Sequence, residues 1–153
     1  MLIDRVVPTM RATGNLQWDS AYPNEQIFAQ DIARSQLWVA EASRNAIAGV
    51  IALSSEQEPE YASVGWDLAE PAIVLHRLAV DPAFQGNGIA TLLMQQAEAV
   101  ARERGIATLR VDTNTENPAT QHLLPKLGYK FAGEITLSYR PGLRFFCYEK
   151  RLL

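Results

Sequence analysis

The chain has 153 residues, 48% of them hydrophobic and 20% charged, which suits one domain over 1–153 with its own core. A net charge of −3 disfavours general affinity for nucleic acid, and the single cysteine, Cys147, excludes an intrachain disulfide and a cysteine-built zinc site. No run is long and apolar enough to span a bilayer and no leader peptide is recognisable, so the expectation is a cytoplasmic protein without a membrane or metal partner.

Ile3, Val6, Val7 and Met10 recur at helical spacing, which predicts an amphipathic helix over 2–12, ended by Gly14 and Asn15. Asn24 is placed to cap a second helix carrying Ile27, Phe28 and Ile32. Residues 37–42 and 46–53 read as a strand hairpin turning at Ser43-Arg44-Asn45. A polar segment, 54–71, holds five acids (Glu56, Glu58, Glu60, Asp67, Glu70) and no lysine or arginine. Residues 73–80 form a nearly continuous apolar strand, expected to be central. A long helix over 89–104 with Gly105 as its stop, then a strand over 109–112, imply a parallel crossover. Asn117 and Pro118 open a shorter helix that Pro125 should end or bend near Leu124. Residues 129–138 and 143–150 close the chain as a hairpin about Arg140-Pro141-Gly142. The order predicts a mixed α/β layer with a central sheet.

The most informative stretch is Val80-Asp81-Pro82-Ala83-Phe84-Gln85-Gly86-Asn87-Gly88-Ile89-Ala90. A strand runs into a glycine-containing loop that opens a helix. Such a helix start presents unpaired N–H groups, its dipole favours anions, and glycine lets a bound group come close. The local physics therefore points to a phosphate-bearing ligand. Three readings compete: a plain strand–helix turn, a dinucleotide fingerprint (Gly86-x-Gly88-x-x-Thr91 with Asp112 as the ribose acid), or a coenzyme A loop. The fingerprint lacks its third glycine and sits behind an antiparallel hairpin, which counts against it.

The order Gln-x-x-Gly-x-Ala after Leu78-Ala79-Val80-Asp81-Pro82 resembles the acetyl-CoA pyrophosphate loop of the GNAT N-acetyltransferase superfamily. His76-Arg77 upstream, and Asn117 and Lys126-Leu127-Gly128-Tyr129 downstream, extend the resemblance over residues 35–153. It implies a mixed sheet whose parallel strands 73–80 and 107–112 splay apart, flanked by helices, with the antiparallel hairpin at the end. The superfamily has one strand ahead of its first helix, and no residues for it are found here.

By that resemblance the main chain of Leu78, Ala79 and Val80 pairs with the pantetheine arm. The N–H groups of Gln85, Gly86, Asn87, Gly88, Ile89 and Ala90, with Thr91 adjacent, hold the pyrophosphate, and Asn117 contacts the pantetheine. The implied reaction is direct attack of a small-molecule or peptide amine on acetyl-CoA, with no metal. Freeing a lysine-like amine of its proton at pH 7 costs about 4–5 kcal/mol, so a base near the amine helps. His76 is the candidate, matching a histidine in a similar His-x-Leu-Ala-Val run of arylalkylamine acetyltransferases. The alternative is a histidine that is hydrogen-bonded within the sheet. A free N–H near Leu78 is expected to face the carbonyl oxygen.

His122 reads as a surface or capping residue, and Tyr129 as packing. Many members carry a tyrosine four residues before the Gly-Tyr pair as acid to the thiolate, and Leu124 stands there instead. Tyr139 and Tyr148 are the substitutes available, and neither is preferred. That gap keeps a non-catalytic acyl-CoA-binding sensor as the second reading.

The acceptor side is expected from residues 18–24, the acidic 54–71 segment and the terminal hairpin. Trp18, Tyr22, Tyr61 and Trp66 either wall it or belong to the core, and the five acids either draw in a cationic amine or are simply solvated. Arg77 is expected on the sheet face opposite His76, paired with a loop carboxylate. A homodimer follows only by analogy with the superfamily.

Overall fold

The computed structural model describes every residue except Arg44, so the centre of the turn expected at 43–45 lies outside the described residues. Helix α1 spans Leu2–Ala12 and buries Ile3 and Val6. Asn24 caps α2 (Glu25–Ala33), its Oδ1 accepting the Ile27 N–H at 3.0 Å. Strands β1 (Leu37–Ala42) and β2 (Ala46–Ser54) pair antiparallel. Then β3 (Ile73–Val80), α3 (Ile89–Glu103) and β4 (Thr108–Asn114) make the parallel crossover. Helix α4 (Pro118–Lys126) leads to β5 (Lys130–Ile135) and β6 (Phe145–Arg151), an antiparallel pair. The sheet order is β1-β2-β3-β4-β6-β5, the mixed α/β sheet that the sequence implies. None of the described residues forms a strand ahead of α1.

Three expectations need adjustment. Pro125 does not end α4 at Leu124, because it sits in the last turn, where the Leu127, Gly128 and Tyr129 amides still close onto the Leu123, Pro125 and Leu124 carbonyls. The terminal strands are shorter than expected, leaving residues 136–144 as a broad turn. The polar 54–71 segment is not loose. It contains a 3-10 turn, Pro59–Val64, and Arg110 of β4 anchors it.

Arg110 is 1% exposed. Its Nη2 donates to Glu70 Oε2 at 3.0 Å, its Nε to Glu149 Oε2 at 2.9 Å and its Nη1 to Gln57 Oε1 at 2.5 Å, while its guanidinium lies 5.0 Å from the Trp66 ring centroid. Arg151 also pairs with Glu70, and Arg34 with Glu56. Glu56 and Glu70 thus find cations far away in sequence, while Glu58, Glu60 and Asp67 have no ion pair among the described residues.

Both sheet faces are covered. Leu93, Met94, Ala97 and Val100 of α3 pack on Ile51, Leu53, Ile73, Leu75 and Leu109. Side chains of this kind each stabilise the fold by about 1.5–3 kcal/mol when removed from water. On the other face α1 and Trp18 cover Val50 and Ala79, while Tyr61 and Trp66 pack on Val74, Phe145 and Cys147. Trp18 and Trp66 are core residues, and Cys147 is a buried strand residue whose thiol burial pushes up to about 12.

Candidate active site

The site begins where β3 leaves β4. Their pairing runs Ile73 with Leu109, Val74 with Arg110 and Leu75 with Val111, and then stops. Across β3's other edge, β2 keeps pairing, but with a shift between Val50 and Ala52 that sets Ala52 against His76 and Val50 against Ala79. Arg77 and Leu78 therefore bulge, with Arg77 at φ 52°. The bulge bends β3 away from β4 and opens a fork whose first residues are His76 and Asp112.

The bulge also removes the basis for the face expected of Arg77. Alternation fails there, and Arg77 and His76 line the same cavity. Nor is the partner on a loop. Arg77 Nη2 and Nε donate to Asp31 Oδ1 and Oδ2 of α2 at 2.6 and 2.8 Å, a bidentate pair.

Below the fork lies a cleft of about 630 Å³. Of the residues singled out in the sequence, it takes in Leu78, Ala79, Val80, Gln85, Gly86, Gly88, Ile89, Ala90, Thr91 and Asn117. Asn87 is the exception, turned so that its Nδ2 donates to the Phe84 carbonyl at 3.1 Å. Gly86 and Gly88 take φ of 82° and 75°. The Gln85 amide, expected to join the cradle, closes instead onto the Pro82 carbonyl at 3.4 Å; among the described residues no acceptor is found for the amides of Gly86 to Thr91, and the next bonded one is Leu92, onto the Gly88 carbonyl at 3.0 Å. Gly88 brings no capping side chain. Six consecutive free N–H groups at the start of a 15-residue helix make an anion cradle.

Asp81, the residue after β3, fixes the loop entrance: Oδ1 accepts the Ala83 N–H at 3.0 Å, and Oδ2 accepts from Arg5 of α1. Asn117 caps α4 through Oδ1, accepting the Thr120 N–H at 3.3 Å, which leaves its amide nitrogen for a ligand. Sequence reasoning missed the opposite walls. Thr9 and Met10 of α1, its C-cap Thr13, and Thr120, Leu123 and Lys126 of α4 also line the cleft. The threonines and Lys126 were legible only as polar helix positions, and Met10 and Leu123 only as members of the apolar stripes. His122, expected at the surface, is exposed at the cleft rim.

Above the fork a smaller cavity of about 80 Å³ is lined by Trp18, Tyr22, His76, Asp112, Tyr139 and Arg140, among others. The two spaces meet at Met10, Leu78, Asn117 and Thr120. Of the 18–24 segment Trp18 and Tyr22 line the smaller cavity, with Gln17 beside them, and the terminal turn contributes Leu137, Tyr139 and Arg140. The acidic segment lines none of it, and acts instead through Tyr61, whose hydroxyl donates to Asp112 Oδ2 at 2.5 Å.

Burial, and then the Arg77 charge, pull the His76 imidazole down to about 4. Burial pushes the Asp112 carboxyl up to about 6 against the Tyr61 hydrogen bond, with Glu58 and Glu60 adding to the rise. Tyr139 donates to Glu58 Oε1 at 2.9 Å and is pushed up by burial and that carboxylate. Of the two tyrosines offered in place of the missing one, Tyr139 lines the cavity and Tyr148 does not, being packed in the core with Tyr129 and Leu124. Asp112 lies outside the cleft under the glycine loop, so it is no ribose acid for a ligand there. Among the described residues no group of His, Cys, Asp and Glu is arranged to hold a metal ion, and no helix is long and apolar enough to cross a membrane.

Comparison with known proteins agrees with this geometry. Residues 6–129 match the acetyltransferase (GNAT) family. The N-acetyltransferase YesJ of Bacillus subtilis (strain 168), itself uncharacterized, is 26% identical over 140 residues, 90% of this chain and 78% of that protein. The crystal structure of a GNAT-family acetyltransferase from Streptococcus agalactiae 2603 superposes with a TM-score of 0.82 at 26% identity, over 99% of this chain and 87% of that one. A protein assigned as a streptothricin acetyltransferase from Bacillus anthracis str. Ames, solved in complex with acetyl coenzyme A, shares the fold with a TM-score of 0.61 at 18% identity, over 76% and 61% of the two chains.

Proposed function

Because this chain belongs to the acetyltransferase (GNAT) family, we propose that it moves the acetyl group of acetyl-CoA to a primary amine by direct attack within a ternary complex. The observation that carries the reading is the run of free amides from Gly86 to Thr91 at the mouth of the cleft. In this reading they hold the diphosphate, while the edge of β3 freed by the bulge, Leu78 to Val80, pairs with the pantetheine arm, and Asn117 donates to it. The thioester then lies where the two cavities meet, beside Leu78, and a free amide there faces the carbonyl oxygen as charge develops. The acceptor, a small molecule or a peptide amine, enters from the upper cavity. A cosubstrate of this kind fits the cytoplasmic setting expected from the sequence.

His76 lies at the fork and is neutral above about pH 4, so it accepts a hydrogen bond from the attacking amine. As a proton store it is weak. Charging an imidazole held near 4 costs about 4 kcal/mol at pH 7. Leu124 leaves the thiolate without the usual phenol, and a thiol of pKa about 8.5 needs only about 2 kcal/mol to leave ionised at pH 7.

The test is thiol release from acetyl-CoA with a panel of primary amines. Amine-dependent release is expected. Tight CoA binding with no amine accelerating release would favour the acyl-CoA sensor, which the absent tyrosine keeps in play.

A further inference from the structure

The upper cavity contains an acid without a counter-ion. Three other acids with little exposure have an arginine: Asp31 has Arg77, Asp81 has Arg5, and Glu149 has Arg110, whereas Glu58 and Glu60 beside Asp112 accept only from the Tyr139 hydroxyl and the Ser138 N–H. Asp112 has only the neutral Tyr61 hydroxyl, which serves Oδ2, and no donor reaches Oδ1 among the described residues. The two arginines lining the same cavity are held elsewhere. Arg77 is locked onto Asp31, and Arg140 donates to the Leu16 and Gln17 carbonyls and lies 3.9 Å from Asp19. The other titratable groups set against Asp112 are Glu58, Glu60 and Tyr61 of the 54–71 segment, Tyr139 of the broad turn, Cys147 of β6 and His76 of β3. None is a cation at neutral pH.

We propose that Asp112 seats the ammonium group of the acceptor, so that the acceptor class is alkyl amines that arrive positively charged. The inference rests on the acetyltransferase reading and names the substrate class of that site. An enclosed carboxylate without a counter-ion is costly, and a cation from outside relieves that cost. Glu58 and Glu60 add negative potential, and the exposed Tyr139 ring offers aromatic surface to the alkyl chain behind the ammonium. The position is right for transfer, because Asp112 stands opposite His76 at the fork, one step beyond Leu75 and Val111.

The ammonium gives one proton to Asp112, and the freed lone pair forms the C–N bond at the thioester carbonyl. The C–S bond breaks with its electron pair on sulfur, and the second nitrogen proton passes to that sulfur. Asp112 returns its proton to water as the neutral amide leaves. A carboxylate near 6 holds a proton about a hundredfold better than an imidazole near 4, so Asp112 is the better receiver of the two.

The experiment is calorimetric titration of the full chain at neutral pH, with and without CoA, using phenethylamine and 1,4-diaminobutane as cations and aniline as the neutral counterpart. At least one cation is expected to bind the wild type and to bind Asp112→Asn tenfold or more weakly, with aniline indifferent to the substitution. Neither cation binding the wild type, or equal affinity for both proteins, would overturn the inference. Carbon-13 titration of the wild-type Asp112 carboxyl needs no variant: its midpoint should fall when the cation is added, and an unmoved midpoint would also overturn it. Failure of CoA to bind would instead sink the acetyltransferase reading, since the cation is measured in its absence as well.

Discussion

Tyr61 and Asp112, 51 residues apart in sequence, meet at 2.5 Å and tie the 3-10 turn of the polar segment to β4 at the fork. The bond stabilises the carboxylate only in part, because burial still holds it near 6. The folded protein therefore binds a proton more readily than the unfolded chain between about pH 4 and 6, and stability falls as pH rises through that window. Above it the cost is about 3 kcal/mol. Asp112→Asn, which can still accept from Tyr61, is expected to unfold about 5–10 °C higher than wild type near neutral pH. The gain should vanish near pH 4. Thermal unfolding at both pH values checks this, and a destabilised variant at neutral pH would contradict it.

His76 has the opposite sign. Held near 4 against an ordinary value of 6.5, it binds a proton less readily in the folded protein. Stability is lost as pH falls from about 6.5 through 4, by about 3 kcal/mol in all. The two effects offset each other in the wild type, so its unfolding free energy should be nearly flat from pH 4.5 to 6. His76→Gln should instead become more stable as pH falls over that range, as measured by urea titration at several pH values.

Gly86 and Gly142 both take φ of 82°, and an added Cβ at either meets nothing within 4 Å. A valine at each position thus carries the same left-handed strain, about 1–2 kcal/mol, without a clash. Only Gly86→Val places a side chain at the anion cradle. We expect it to weaken CoA binding at least tenfold while Gly142→Val leaves affinity unchanged, with calorimetry on both variants deciding.

Gly49 is required for packing rather than for its backbone angle. A Cβ there would lie 2.8 Å from Ile89 Cγ2, 2.9 Å from the Ala79 carbonyl oxygen and 3.0 Å from Leu93 Cδ1. Gly49→Ala should push the first turn of α3 off the sheet and destabilise the protein by about 1–3 kcal/mol. It should also weaken CoA binding, because that turn carries the cradle. Chemical denaturation and CoA titration test the two effects separately.

The amino-acid order alone was enough for most of the elements and for the glycine loop that opens α3. Apolar spacing, the capping asparagines Asn24 and Asn117 and the glycines Gly86 and Gly88 act within a few residues, so periodicity and local backbone preference reveal them. Only the folded molecule decided the upper cavity. The bulge at Arg77, the Asp31 partner on α2, the Arg110 anchor of the polar segment and the meeting of Tyr61 with Asp112 all join groups 39 to 53 residues apart, or break the alternation a strand pattern assumes. Local sequence preferences carry no record of which distant charge fills a buried site, because that choice is made by desolvation and packing once the sheet has closed.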